Sequence, residues 1–212
     1  MKSVKLAVLA SFLLVATAAL FSSGASATVL CKVNKIPCPT LPTPEDYGAG
    51  TSIEATLEAG TSMVFRDTAG NVLNTCTKST IDGTTENTGK KAEAVTVKVT
   101  QATFDGCTYK TVVPVLGKYH IEYAGGTKNT VATLQLTETE VKVMTPFGEC
   151  KFGAGEGTDI GTLTSGFTAT MDIEGVLFIA EEGGIFCPGH VVWEAKYTVT
   201  APKPLFIKEE MD

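Results

Sequence analysis

Histidine occurs twice in this chain and tryptophan once. With only His120 and His190 present, the chemistries that lean on imidazole lack partners. A Ser-His or Cys-His nucleophile needs a base held by a third group, and a zinc site needs three or four ligands at recognisable spacing. No cysteine pair is spaced C-x-x-C, and only Cys187-Pro188-Gly189-His190 sets a histidine near a cysteine. No G-x-S-x-G elbow occurs, since Gly161-Thr162-Leu163-Thr164-Ser165-Gly166 has the wrong spacing. No cofactor motif is present and no cofactor is expected. No window of a dozen residues carries apolar residues at helical spacing, which leaves no room for a helix longer than a turn or two. Past Phe21 no apolar run is long enough to span a bilayer.

What is there begins with an address. Lys2 and Lys5 precede an apolar run from Leu6 to Phe21, and small residues follow, ending Ala25-Ser26-Ala27. This is the pattern of an export signal cleaved after Ala27. Lipidation of Cys31 is not expected, because bulky Leu30 precedes it. Residues 1–27 are therefore set aside as a signal peptide, 28–50 as a Pro/Gly-rich arm and 51–212 as one all-β domain. Of the chain's 17 basic and 23 acidic residues, the signal holds two lysines and no acid, so the mature part carries 15 − 23 = −8. That field argues against nucleic acid as a partner. With no second apolar stretch, no membrane span is expected either.

All six cysteines, Cys31, Cys38, Cys76, Cys107, Cys150 and Cys187, lie beyond the signal. An even number in an exported chain reads as a disulfide framework, with fifteen pairings open to six cysteines. Cys31 and Cys38 bracket a short Pro-containing loop and are expected to pair. Cys76 with Cys107 and Cys150 with Cys187 are then the simplest remainder.

Pro37, Pro39, Pro42, Pro44, Gly48 and Gly50 mark the arm as irregular. From Thr51 the rhythm has period two: Ile53/Ala55/Leu57, Val95/Val97/Val99, Ala132/Leu134/Leu136, Val141/Val143, Ala169/Met171/Ile173 and Trp193/Ala195/Tyr197/Val199. These are half-buried strands. Ala59-Gly60, Asp67 to Asn71, Asp82-Gly83, Asp105-Gly106, Gly125-Gly126, Glu174-Gly175 and Gly183-Gly184 fall between them as turn signals. The expected fold is all-β, a two-sheet antiparallel sandwich stapled by disulfides, with a closed β-barrel as the alternative. On the last long strand, Trp193, Tyr197 and Val199 should face the core, and Glu194, Lys196 and Thr198 should face away.

The remaining candidates for chemistry are carboxylates. A glycosidase needs two of them across a cleft, and Asp159, Asp172, Glu181, Glu182 and Glu194 are available. His120 reads as a solvent-facing strand residue with Glu122 on its face, and His190 as part of a disulfide-clamped turn. Asp67 to Asn71 offers too few oxygen ligands for calcium. Threonine is abundant on the polar side of the strands, but no fixed period links Thr75/Thr77, Thr137/Thr139, Thr162/Thr164 and Thr168/Thr170, so a repeat-built array is not expected.

At Thr75-Cys76-Thr77-Lys78-Ser79-Thr80-Ile81-Asp82-Gly83, and at Thr85-Glu86-Asn87-Thr88-Gly89, the chain resembles a family of uncharacterised secreted proteins from actinobacteria. The likeness extends to Cys31 with Cys38-Pro39, Phe104-Asp105-Gly106-Cys107-Thr108, and Phe186-Cys187-Pro188 leading into Trp193-Glu194-Ala195-Lys196-Tyr197. It closes at Pro204-Leu205-Phe206-Ile207, while residues 112–148 match only in rhythm. The resemblance implies export and a β-rich fold, and it brings no activity and no functional residue. Three functions stay open: a non-enzymatic extracellular or cell-envelope domain binding a glycan or protein, a carboxylate-dependent glycoside hydrolase, or an effector acting through the loop around Cys187.

Overall fold

The computed structural model describes residues 27–40, 44–89, 93–124, 130–155, 157–183 and 187–209, with the backbone alone for 176–183. The expected export signal up to residue 26, the Gly125-Gly126 turn, Gly184 of the Gly183-Gly184 turn and the side chains of Glu181 and Glu182 lie outside the described residues. Twelve strands and no helix are present among them: β1 (Thr28–Cys31), β2 (Ser52–Leu57), β3 (Met63–Asp67), β4 (Val72–Thr85), β5 (Val95–Cys107), β6 (Thr111–Tyr123), β7 (Val131–Thr145), β8 (Gly148–Gly153), β9 (Thr158–Thr164), β10 (Thr170–Gly183), β11 (His190–Ala201) and β12 (Phe206–Glu209).

Ten of these strands close on themselves. β2 and β3 both pair antiparallel with β4 on one side and β11 on the other, so they lie end to end as one interrupted strand. β8 and β9 do the same between β7 and β10. The ten strands therefore fill eight positions, and chain order equals spatial order: β2/β3, β4, β5, β6, β7, β8/β9, β10, β11, then back to β2/β3. This is an up-and-down antiparallel barrel. The two-sheet sandwich gives way to the closed barrel named as its alternative, because the pairs Tyr197 with Leu57 and Trp193 with Phe65 join the last long strand to the first.

Alternation decides the two faces. Inward positions are Ala55 and Leu57, Met63 and Phe65, Val95, Val97 and Val99, Tyr119, Ile121 and Tyr123, and Trp193, Ala195, Tyr197 and Val199, all buried. Lys196 is exposed while Glu194 and Thr198 are partly so, as the period-two reading of that strand requires. Eight strands leave an interior just wide enough for side chains to fill. An axial cavity of about 40 Å³ is lined by apolar groups including Ala55, Val97, Val99, Tyr119 and Leu163.

The nearby mouth is plugged. β1 pairs with β12 in a separate two-stranded sheet, whose Leu30 and Ile207 join the barrel core together with Leu205. Its other face forms a small cluster of Val29, Cys31 and Phe206. Thr28 ties the plug down, since its N–H donates to the Glu93 carbonyl at 3.3 Å and its hydroxyl accepts from the Tyr123 N–H at 2.8 Å. The stretch read as an irregular arm thus opens with a fully buried strand.

The wall has a seam between β5 and β6. β5 and β6 pair only where Val95–Lys98 faces Lys118–Ile121. Below that, β6 shifts register between Val112 and Val115, and Pro114 has no N–H to give a ladder. The two strands separate and meet again at their turn. There buried Asn74 donates to the Tyr109 carbonyl at 2.9 Å and to the Thr111 hydroxyl at 2.6 Å, and accepts from the Tyr109 N–H at 2.9 Å.

The disulfide Cys76–Cys107 closes the same region, while Cys31–Cys38 and Cys150–Cys187 complete the framework, with no free cysteine. Cys76–Cys107 spans 31 residues, and a loop of that size contributes about 3 kcal/mol through the unfolded chain. The double variant Cys76→Ala/Cys107→Ala is therefore expected to lose about 3 kcal/mol in urea unfolding followed by Trp193 fluorescence. A loss below about 1 kcal/mol would show that the seam is held without it.

Candidate functional site

Concavities with polar chemistry lie on the outside of the barrel. The first is a groove across β9, β10, β11 and β3. One part, of about 370 Å³, is lined by Asp159, Gly161, Thr162, Asp172 and Glu174. The other, of about 460 Å³, takes in Glu174, Glu194, Lys196, Thr61 and Ser62. Glu174 belongs to both, at the register shift of β10 between Ile173 and Val176. Gly161 permits the close strand crossing beneath it: its φ is +153°, and a Cβ there would collide with the Asp172 carbonyl oxygen.

Three of the carboxylates singled out from sequence, Asp159, Asp172 and Glu194, are thus gathered along one groove, joined by Glu174, which sequence reasoning did not select. Two of them are engaged: Arg66 Nε donates to Glu194 at 2.9 Å, and Lys196 Nζ lies 3.5 Å from Asp172. The four side chains of these pairs are all at least a third exposed. This is an open polar trough rather than a water-excluding cleft.

The second concavity, of about 360 Å³, sits where β2 breaks off before β3. The last rung of β2 pairs Thr56 with Thr80, and the first rung of β3 pairs Met63 with Cys76. Thr77, Lys78 and Ser79 of β4 therefore have no ladder partner on that side. The intervening loop bulges out, held by Glu58: its N–H donates to the Lys196 carbonyl at 2.8 Å and its carbonyl accepts from the Thr61 hydroxyl at 2.7 Å. The recess is lined by Thr56, Glu58, Thr77, Lys78, Ser79, Thr80, Thr103 and Asp105 among others. Its floor is buried Ser79, whose Oγ lies 2.9 Å from the hydroxyl of buried Tyr197. Beside it Gly106 packs on Thr77, with φ +61° and no space for a Cβ against Thr77 Oγ1.

A belt of threonines runs into this recess. Thr103, Thr80, Thr56, Thr198, Thr170 and Thr164 are successive direct cross-strand partners over β5, β4, β2, β11, β10 and β9. Neighbouring strands lie about 4.8 Å apart, and Thr80 and Thr103 share a 2.8 Å hydroxyl bond. The order arises from antiparallel register and not from a repeat, so no sequence period announces it. Because it wraps most of a barrel, the belt is curved and presents no flat lattice.

No family model, curated protein or solved structure matches the chain. Function is therefore read from the wall itself. His120 points outward on β6 between two hydroxyls, with Nδ1 3.3 Å from Thr96 Oγ1 and Nε2 3.5 Å from Thr137 Oγ1. His190 is exposed at the start of β11. The two are on separate strands, and no group of three or more His, Cys, Asp or Glu suited to a metal occurs among the described residues. Asp67 closes its own turn: Oδ1 accepts from the N–H groups of Ala69 and Asn71. The Asn71 side-chain amide, foremost among these bonds, holds its carboxyl below the usual range.

Proposed function

We propose that this protein is a secreted, non-enzymatic binding domain of the extracellular space or cell envelope, which takes its ligand on the outer wall of the barrel. One observation carries the reading: the interior is filled and plugged, whereas hydroxyls and carboxylates collect in concavities outside. A polar, open surface of this kind suits a hydroxyl-rich ligand such as an extracellular or cell-wall glycan, whose hydroxyls both give and accept hydrogen bonds. Three disulfides fit an oxidising compartment. No helix among the described residues is long and apolar enough to cross a membrane. Charged side chains such as Lys118, Lys142 and Glu149 are ion-paired on the outer wall, unlike the apolar band of a lipid-facing barrel.

The groove supports a second reading, a glycoside hydrolase, because Asp159, Asp172 and Glu174 line one concavity. A glycan array probed with the mature chain, followed by incubation with every polysaccharide that binds, separates the two. The expected result is retention of a glycan without release of reducing ends. Release abolished by Asp172→Asn or Glu174→Gln would favour the hydrolase, and an array with no bound glycan would sink the glycan reading.

A further inference from the structure

The Ser79–Tyr197 pair leaves a hydrogen unspent. Two hydroxyls carry two donor hydrogens, and the 2.9 Å bond between them uses one. Whichever hydroxyl donates, the other hydrogen has no acceptor among the described residues. Both side chains are almost fully buried, at 2% and 1% exposure. A buried donor without a partner is costly and is normally met by water or a ligand. Tyr197 points into the barrel, but Ser79 also lines the recess at the β2–β3 break. The pair thus lies directly beneath the floor of that recess.

Around this floor the recess presents the hydroxyls of Thr56, Thr77, Thr80 and Thr103 and the carboxylates of Glu58 and Asp105, with Lys78 directly opposite Asp105 across the ladder. We propose that the recess is a saccharide subsite that seats one pyranose ring, with Asp105 and Glu58 accepting from ring hydroxyls and Ser79 bonding the most deeply inserted one. The proposal rests on the glycan-binding reading above and names the place where it acts. At about 360 Å³ the recess is at the small end of ligand sites. It has no aromatic plate on which a ring would stack, so recognition runs through hydrogen bonds, and a single ring should bind in the millimolar range, about 1–10 mM. Affinity for a polymer then comes from additional contacts along the threonine belt.

The test is saturation-transfer difference NMR on the mature, oxidised chain with the methyl glycosides of glucose, mannose, galactose and N-acetylglucosamine, each at about 10 mM. At least one should show transfer, and a titration of that transfer should give a dissociation constant raised about fivefold or more by Ser79→Ala, the loss expected for one hydrogen bond. Asp105→Asn, an exposed change that leaves the core untouched, should raise it similarly, whereas Glu174→Gln in the other groove should leave it unchanged. Circular dichroism identifies any variant that fails to fold. A dissociation constant unmoved by both Ser79→Ala and Asp105→Asn overturns the subsite while leaving glycan binding elsewhere on the wall intact. Glycans retained on the array with no transfer from any of the four glycosides have the same meaning. Failure of both array and glycosides removes the subsite together with the glycan reading.

Discussion

Trp193→Ala is expected to remove about 3–5 kcal/mol of stability and to lower Tm by about 10 °C. Trp193 is 3% exposed at the centre of the barrel. Its ring lies 6.2 Å from Phe65, 6.2 Å from Phe104 in an edge-on contact, and 6.5 Å from Tyr197, also edge-on. It bridges three staves of the wall, β3, β5 and β11, so truncation removes contacts on all sides at once and leaves a void that a closed barrel cannot collapse around. Glu194→Ala on the opposite face removes only a partly exposed ion pair with Arg66 and should cost below about 1 kcal/mol. Because Trp193 is the only tryptophan, the comparison must be made by far-UV circular dichroism in urea. A larger loss for Glu194→Ala than for Trp193→Ala would mean that the faces of β11 are reversed, since a one-residue slip exchanges every side chain on a strand.

The strands were legible in the sequence because each carries its own evidence. Val95, Val97 and Val99 alternate with Thr96, Lys98 and Thr100 regardless of what they pair with, and the same holds for Trp193 through Val199. Closure was not legible. It depends on pairs such as Tyr197 with Leu57 and Val131 with Thr164, and nothing local distinguishes a strand that meets its far neighbour from one that stops at a sheet edge. The interruptions of two staves are read most easily as turns, and Ala59-Gly60 does turn. What it turns back into is a continuation of the same strand direction, which makes two short strands share one position. β1 was missed for a similar reason, because Thr28–Cys31 is buried by a partner at the other end of the chain, through Leu30 with Ile207.

The candidate sites show the same division between local and distant information. Carboxylates could be named from sequence, yet their convergence along one groove required the hairpin of β9 with β10, which places Thr162 opposite Asp172. Glu174 looked like half of a Glu-Gly turn and instead sits at an irregularity within β10. The threonine belt is set by five registers at once, and a search for a fixed period had no means of finding it. Ser79 and Tyr197 are 118 residues apart, and neither is unusual in its own strand. The physical clue was faint: a serine within an otherwise threonine-rich segment, at the place where β4 changes which face it buries.

Raising the pH above 10 should destabilise the protein progressively, because two buried tyrosines resist ionisation where they sit. Burial pushes the Tyr119 phenol far above its ordinary range, with the neighbouring Tyr197 adding to the shift. Burial does the same to Tyr197, and the bond to Ser79 draws it back only in part. Both groups keep their protons in the folded state past the point, near pH 10, at which they are lost in the unfolded chain. The stability associated with them is therefore complete below about pH 10 and declines as pH rises beyond it, by about 1.4 kcal/mol per pH unit for each phenol. Lys208 acts in the opposite direction. It is 2% exposed, with its amine bonded to Asn34 Oδ1 at 2.6 Å, and burial lowers its affinity for a proton. Its charge destabilises the fold at neutral pH, and that penalty is relieved as pH rises toward the unfolded value of about 10.5. Stability should consequently hold or rise slightly toward pH 10 before the phenols dominate. Absorbance at the phenolate band, recorded with circular dichroism across this range, should show ionisation of Tyr119 and Tyr197 coinciding with loss of the β signal, and the double variant Tyr119→Phe/Tyr197→Phe should make the alkaline transition shallower. Reversible ionisation of all five tyrosines near pH 10 with the β signal intact would show that the barrel opens far more readily than its packed, plugged interior implies.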